Sequence, residues 1–230
     1  MKLNLATVPT IFIAVLFAAA CAQQPTAPVS ETSVDAAQAL PRIIEPNPQE
    51  NHFGELRMLT DGGENAEAYF SFAGGDLIFQ STRPPYDCDQ IFVLDIETAE
   101  KTLASTGTGR TTCAYYLPDD EWIVYASTHK GGLDCPPVPD HSRGYVWPIY
   151  PSYDIYRARP DGSEISKLTD LDGYDAEATV SPQGDRIVFT SMRDNDLDIY
   201  SMNLDGSDVI RLTDSIGYDG GPFYLSLIHI

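Results

Sequence analysis

The chain has 230 residues, 43% of them hydrophobic, with 17 Gly and 17 Pro, which suits one sizeable domain of a turn-dense, all-β kind. Its 34 acidic residues against 14 Lys and Arg leave a formal charge of −20, which repels phosphate backbones and excludes nucleic acid as a partner. Metal cations and basic protein surfaces remain, beside the plainer reading that acidity serves solubility.

Residues 1–21 read as an export signal. Lys2 is the lone charged side chain ahead of the apolar run 11–17, which closes on Ala18-Ala19-Ala20-Cys21 and is too short for a stable membrane span. Small residues before a Cys resemble a bacterial lipobox, which implies that Cys21 becomes the first mature residue and carries lipid. Ala18 departs from the Leu usual there, and an ordinary cut after Ala-x-Ala is the alternative. Residues 22–52 are rich in Pro, Ala, Gln and Ser without a sustained apolar period, and an extended tether is expected. The absence of Asp after Cys21 implies, by the same resemblance, sorting to the outer membrane. The expected product is an exported, periplasm-facing or cell-surface lipoprotein that touches the membrane only through its anchor.

Residues 53–224 break into short β-branched and aromatic stretches separated by Gly, Pro, Asp and Ser turns. The stretch 55–60 comes first and looks like the outermost strand of a repeat, with no repeat before it. Glu67-Ala68-Tyr69-Phe70-Ser71 then precedes Leu77-Ile78-Phe79-Gln80-Ser81, and Cys113-Ala114-Tyr115-Tyr116 precedes Ile123-Val124-Tyr125-Ala126-Ser127 at the same spacing. The clearest unit begins with strands predicted at Asp175–Val180 and Arg186–Ser191, joined by a Ser181-Pro182-Gln183-Gly184 turn. It continues through the polar loop Arg193-Asp194-Asn195-Asp196, a strand at 198–204, an Asp205-Gly206-Ser207 turn and a strand at 209–214. Four antiparallel strands in roughly 40–45 residues make one propeller blade.

Leu168-Thr169-Asp170 returns as Leu212-Thr213-Asp214, and Asp154-Ile155-Tyr156 returns as Asp198-Ile199-Tyr200 with the same displacement. The pattern predicts an all-β fold, a β-propeller of four-stranded antiparallel blades, with three repeats and a partial fourth. Gly217-Tyr218-Asp219 opens that fourth copy, whereas residues 225–230 match no repeat. Propellers typically take four to eight blades, so an incomplete ring and a truncated chain are expected. In a closed ring, a leading strand such as 55–60 commonly completes the last blade.

Ser181-Pro182-Gln183-Gly184, Ser191-Met192-Arg193, Asp198-Ile199-Tyr200 and Leu212-Thr213 together resemble the repeat of the TolB-type β-propellers, over roughly residues 55–224. The resemblance implies a TolB-like envelope protein. These motifs identify a repeat class and no single activity, because the same propeller also occurs attached to peptidases and other enzymes.

With strands lettered a to d from the axis outward, the d-to-a and b-to-c loops share one rim. Arg83, His129 and Arg193 occupy one repeat position there, sixteen residues after Glu67, Cys113 and Glu177 respectively. Structural ion pairs are expected between Glu67 and Arg83 and between Glu177 and Arg193, with ligand binding as the alternative. The middle blade replaces both partners together, by Cys113 and His129, which avoids stranding one charge.

If Cys21 is lipidated, Cys88, Cys113 and Cys135 remain, and one pair is expected to form a disulfide in an oxidising compartment. Cys113 with Cys135 is the first choice and Cys88 with Cys113 the second. A zinc site from these thiols and His129 lacks the usual close Cys spacing. The insertion 129–152 carries Cys135-Pro136-Pro137-Val138-Pro139 and Tyr145-Val146-Trp147-Pro148-Ile149-Tyr150. Its aromatics suit recognition of a peptide, a sugar or a partner protein, or else they fold down as a lid on their own blade. Arg83, Tyr86, His129, Tyr145, Trp147, Tyr150 and Arg193 are therefore the rim binding candidates. Asp194, Asp196 and Asp198 alternate as calcium ligands can, without the Gly and distal Glu of an EF-hand loop, and a simple turn accounts for them as well.

No Gly-x-Ser-x-Gly, His-Glu-x-x-His or phosphate-loop motif occurs, and no catalytic residue or cofactor is assigned. The leading expectation is a non-enzymatic envelope lipoprotein whose rim binds a protein or ligand. The alternatives are the propeller module of a secreted prolyl-oligopeptidase-like hydrolase and a propeller lyase with a rim metal.

Overall fold

The computed structural model describes residues 39–225. The export signal, Cys21, residues 22–38 of the expected tether and residues 226–230 of the tail lie outside the described residues.

Three four-stranded antiparallel sheets follow one another along the chain. Blade 1 comprises β3 (Glu64–Phe70), β4 (Asp76–Thr82), β5 (Gln90–Asp95) and β6 (Lys101–Leu103). Blade 2 comprises β7 (Thr111–Tyr116), β8 (Ile123–Ser127), β9 (Asp154–Ala158) and β10 (Ser166–Lys167). Blade 3 comprises β11 (Asp175–Val180), β12 (Arg186–Ser191), β13 (Asp198–Asn203) and β14 (Ile210–Arg211). Each blade is a meander whose strands pair in sequence order, which tight turns permit and parallel sheets do not.

Neighbouring blades stack through their inner strands, β4 against β7 and β11 against β7 and β8, in an incomplete propeller-like arrangement. Strand β8 shows why the sequence folds this way. Successive side chains alternate across a strand. Ile123 and Tyr125 therefore join Ile78, Ile91 and Tyr156 in one core between blades, while Val124 turns to Ile155, Ile187 and Phe189 in the next. A strand covered on both faces reads as a continuous apolar run, and all five β8 residues are buried. Full burial stabilises each such large side chain by about 1.5–3 kcal/mol.

The leading stretch departs from expectation. β1 (Arg42–Ile44) pairs with β2 (Leu56–Met58) in a separate two-stranded sheet, with Arg42 opposite Met58. Residues 42–44 fall within the stretch that composition reads as an extended tether, and 55–60 within the one that repeat spacing reads as a blade's outer strand. Arg42-Ile43-Ile44 is a short β-forming stretch bounded by Pro41 and Pro46, and it supplies the backbone edge that β2 uses.

Candidate functional site

The innermost strand of every blade carries a β-bulge at one repeat position. Pairing register shifts between Ala66 and Tyr69, between Thr112 and Tyr115, and between Ala176 and Thr179. Inside each shift lies a left-handed residue, Glu67 at φ 54°, Cys113 at φ 49° and Glu177 at φ 60°. Gly221 repeats the conformation at φ 61° in the fourth copy, where glycine adopts it without steric cost. For the non-glycine residues the left-handed region costs on the order of 1–2 kcal/mol each. These bulges aim Glu67, Cys113 and Glu177 into an axial cavity of about 130 Å³, also lined by Tyr69, Trp147 and Phe223.

Glu177 is almost wholly buried and is held by donors alone. Thr190 Oγ1 donates at 2.6 Å, Tyr174 Oη at 3.2 Å and the Gly221 amide at 2.7 Å, while Tyr218 Oη lies 2.8 and 2.9 Å from its two oxygens. Glu67 is exposed and accepts from Tyr69 Oη at 3.1 Å. Between them, burial and the neighbouring carboxylates push the Cys113 thiol up to about 12, despite a hydrogen bond with Thr112 that opposes the shift. Cys113 is therefore a protonated thiol at neutral pH, with little nucleophilic character.

The expected Glu67–Arg83 and Glu177–Arg193 ion pairs are corrected by this geometry. The bulge turns the carboxylates to the axis, whereas Arg83 and Arg193 lie over aromatic rings of strand c and reach strand a two residues before the glutamates, at Asn65 and Asp175. Arg83 Nε donates to Ser81 Oγ at 2.9 Å, and its guanidinium sits 5.4 Å from the Phe92 ring. Arg193 Nε donates to Ser191 Oγ at 2.8 Å and lies 4.8 Å from the Tyr200 ring, with Asp175 as its ion-pair partner at 3.4 Å. His129 does the same in the middle blade, with Nδ1 2.8 Å from Ser127 Oγ and its ring 4.3 Å from Tyr156. Burial lowers its pKa, helped by Lys130 and Lys167, so a neutral imidazole stacks where the other blades stack a guanidinium. These three rim candidates thus staple strand b to strand c, and the two arginines tie in strand a as well. Tyr86 likewise packs edge-on against Phe92, with ring centroids 6.1 Å apart.

A disulfide joins Cys88 to Cys135, with Sγ atoms 2.11 Å apart, and leaves Cys113 free among the described residues. Both pairings expected for Cys113 are thereby corrected. Cys113 is locked in the axial bulge, while Cys88 and Cys135 sit in the b-to-c loops of adjoining blades. The same bond removes two of the three thiols from any zinc site.

The insertion 129–152 becomes a strap fastened to blade 1. Tyr150 folds down, donating from Oη to the Pro137 carbonyl at 2.7 Å and packing 6.0 Å from Tyr153. Tyr145 and Trp147 stay 78% and 48% exposed. Under the strap runs a groove of about 560 Å³, and Trp147 lines both this groove and the axial cavity. The floor holds Asp89, paired with Arg110 at 2.6 Å and bonded by Thr82 Oγ1 at 2.7 Å. Glu64, Asp87 and Tyr153 also line the groove and went unnoticed in the sequence. No local motif marks them, because loops of two blades bring them together.

The calcium candidates are each taken by protein donors, and Asp194 and Asp198 share Arg211. Tyr200 Oη donates to Asp194, the Gly217 amide donates to Asp196 at 3.0 Å, and Asp198 is bound by Arg211. Among the described residues, no three His, Cys, Asp or Glu side chains converge as a metal site.

No family model matches the chain. An uncharacterized protein of Agrobacterium fabrum is 30% identical over 101 residues, which is 44% of this chain and 28% of that one. A structure from Agrobacterium tumefaciens assigned as TolB superposes with a TM-score of 0.54 at 25% identity, covering 72% of this chain and 55% of its own. TolB of Acinetobacter baumannii gives a TM-score of 0.54 at 19% identity, over 70% of this chain and 35% of that one. The chain therefore spans little more than half of the Agrobacterium structure and less of the other two. It is distantly similar in structure to TolB-like propeller proteins.

Proposed function

We propose that this chain is a non-enzymatic, TolB-like scaffold of the cell envelope that binds a protein partner at the strap-bearing rim. The observation that carries the reading is the strap itself. A disulfide and Pro-rich segments hold Tyr145 and Trp147 exposed above two adjoining cavities, and rigid aromatic anchors of this kind dominate protein interfaces. The Ser127 and His129 pair does not argue for hydrolysis. Ser127 is fully buried, and the equivalent Ser81 and Ser191 make the same bond to arginines. The likeness to TolB structures supports an envelope setting, and the Lys2 to Cys21 pattern supports export and a lipid anchor at Cys21.

A photo-crosslinking residue at Tyr145, in the full chain expressed with its own amino terminus in a Gram-negative host, should give a discrete protein adduct. The same group at Glu97, in a turn of the opposite rim, should give none. Equal adducts from both sites, or peptide hydrolysis by the purified protein, would overturn the reading. Incorporation of radioactive fatty acid should be lost in Cys21→Ala, and equal labelling would remove the anchor.

A further inference from the structure

We propose that the groove beneath the strap takes an extended basic segment of the partner, seating a Lys or Arg side chain among its carboxylates. This rests on the rim-binding reading and names the chemistry of one site within it. The volume, about 560 Å³, lies within the roughly 300–1,000 Å³ range of clefts that enclose small ligands or short peptide stretches.

Three features of the lining point to such an occupant. The first is charge. Glu64, Asp87 and Asp89 face a single guanidinium, Arg110, and only Asp89 is paired with it. Glu64 and Asp87 have no side-chain partner among the described residues and are left for an incoming cation. The second is an orphan polar group on the floor. Tyr153, 4% exposed, lines the groove together with Arg110 and Asp89. Arg110 Nε is a buried donor with no acceptor among the described residues, and it is the unsatisfied group. Buried polar groups are normally satisfied, and a peptide carbonyl offers what this donor lacks. The third is the wall. Val138, Tyr145 and Trp147 present apolar and aromatic faces, along which the methylene stem of Lys or the plane of Arg can lie while its head reaches the carboxylates. The chain's charge of −20 adds long-range attraction for such a segment.

The test uses the oxidised protein and fluorescein-labelled Ala-Lys-Ala-Arg-Ala-Lys, read by fluorescence anisotropy. Saturable binding is expected, weakening as salt rises, and about tenfold weaker in the Glu64→Gln, Asp87→Asn double variant. Glu97→Gln with Glu100→Gln removes as much charge from exposed turn positions far from the groove, and should leave affinity within about twofold. Tyr145→Ala should weaken binding without altering the circular dichroism spectrum. Equal losses in the two double variants would reduce the effect to net charge and overturn the proposal. So would absence of binding, or preference for chitotriose over the peptide, which would assign the groove to sugars. Adducts at Tyr145 without peptide binding would sink the groove assignment and leave rim binding standing.

Discussion

Glu177→Ala, combined with Arg193→Ala in a double-mutant cycle, tests the axial network against the ion pair that the sequence suggests. Alanine keeps the side-chain strain at φ 60°, so the change reports on the lost carboxylate. Two of its donors are sealed from water, with Thr190 at 0% and Tyr174 at 1% exposure, and each stranded hydroxyl costs about 1–3 kcal/mol. Tyr218 is 57% exposed and regains water, so it adds little. The expected loss is about 2–6 kcal/mol. Arg193→Ala strands Asp175, whose side chain is 3% exposed, and should cost about 3–5 kcal/mol. Because the two side chains share no hydrogen-bond partner, their coupling should stay below about 0.5 kcal/mol. Urea unfolding followed by far-ultraviolet circular dichroism supplies all four free energies. A coupling above about 1.5 kcal/mol would restore the Glu177–Arg193 pair and refute the geometry described above. A loss below about 1 kcal/mol for Glu177→Ala would show that the network is not bonded as drawn.

Cys135→Ser opens a covalent loop of 47 positions, for which chain entropy gives a loss of about 4 kcal/mol, and trypsin should then cut at exposed Arg143 several-fold faster than in the oxidised protein. Cys113 stays protonated in the fold after it would ionise in the unfolded chain. Its contribution is therefore fully present below about pH 9 and lost as pH rises toward about 12; Cys113→Ala should flatten that alkaline decline in urea titrations. Gly109→Ala places a Cβ 2.7 Å from the His129 amide at φ +63°, and should cost about 2 kcal/mol or more by thermal unfolding.

The blades were legible because each repeat writes its strands in β-branched and aromatic runs. Asp175–Val180 and Arg186–Ser191 are read with their observed bounds, while the outer strand predicted at 209–214 shrinks to Ile210–Arg211, whose side chains are exposed and gain little from pairing. The site was less legible. Counting sixteen residues from Glu177 to Arg193 finds the repeat position but not the bulge between them, and a bulge redirects a side chain without altering spacing. One signal was present. Gly221 stands where Glu177, Cys113 and Glu67 stand in the other copies, and a glycine among larger residues marks a left-handed backbone. The disulfide depended on the same point, since only the bulge withdraws Cys113 from the loops where Cys88 and Cys135 meet. The groove was beyond sequence reasoning, because Glu64, Asp87 and Tyr153 come from segments that only blade stacking makes neighbours.

The left-handed bulges also bear on how a quasi-symmetric frame acquires a direction. Backbone geometry repeats at four successive positions, yet what each delivers to the axis differs: a carboxylate, a thiol, a second carboxylate and a bare amide. Matching contents would offer a visitor several equivalent poses related by rotation from blade to blade. Unequal contents break that degeneracy. One orientation places a donor against Glu177 or Glu67 and an apolar face against Cys113, and rotation by a single blade exchanges them. At the three non-glycine positions the cost of the conformation falls on the backbone and varies little with the side chain carried. Substitution at exposed Glu67, which accepts only from Tyr69, can therefore rewrite the axial surface while the blades keep their fold, whereas Glu177 is tied into its blade by buried donors.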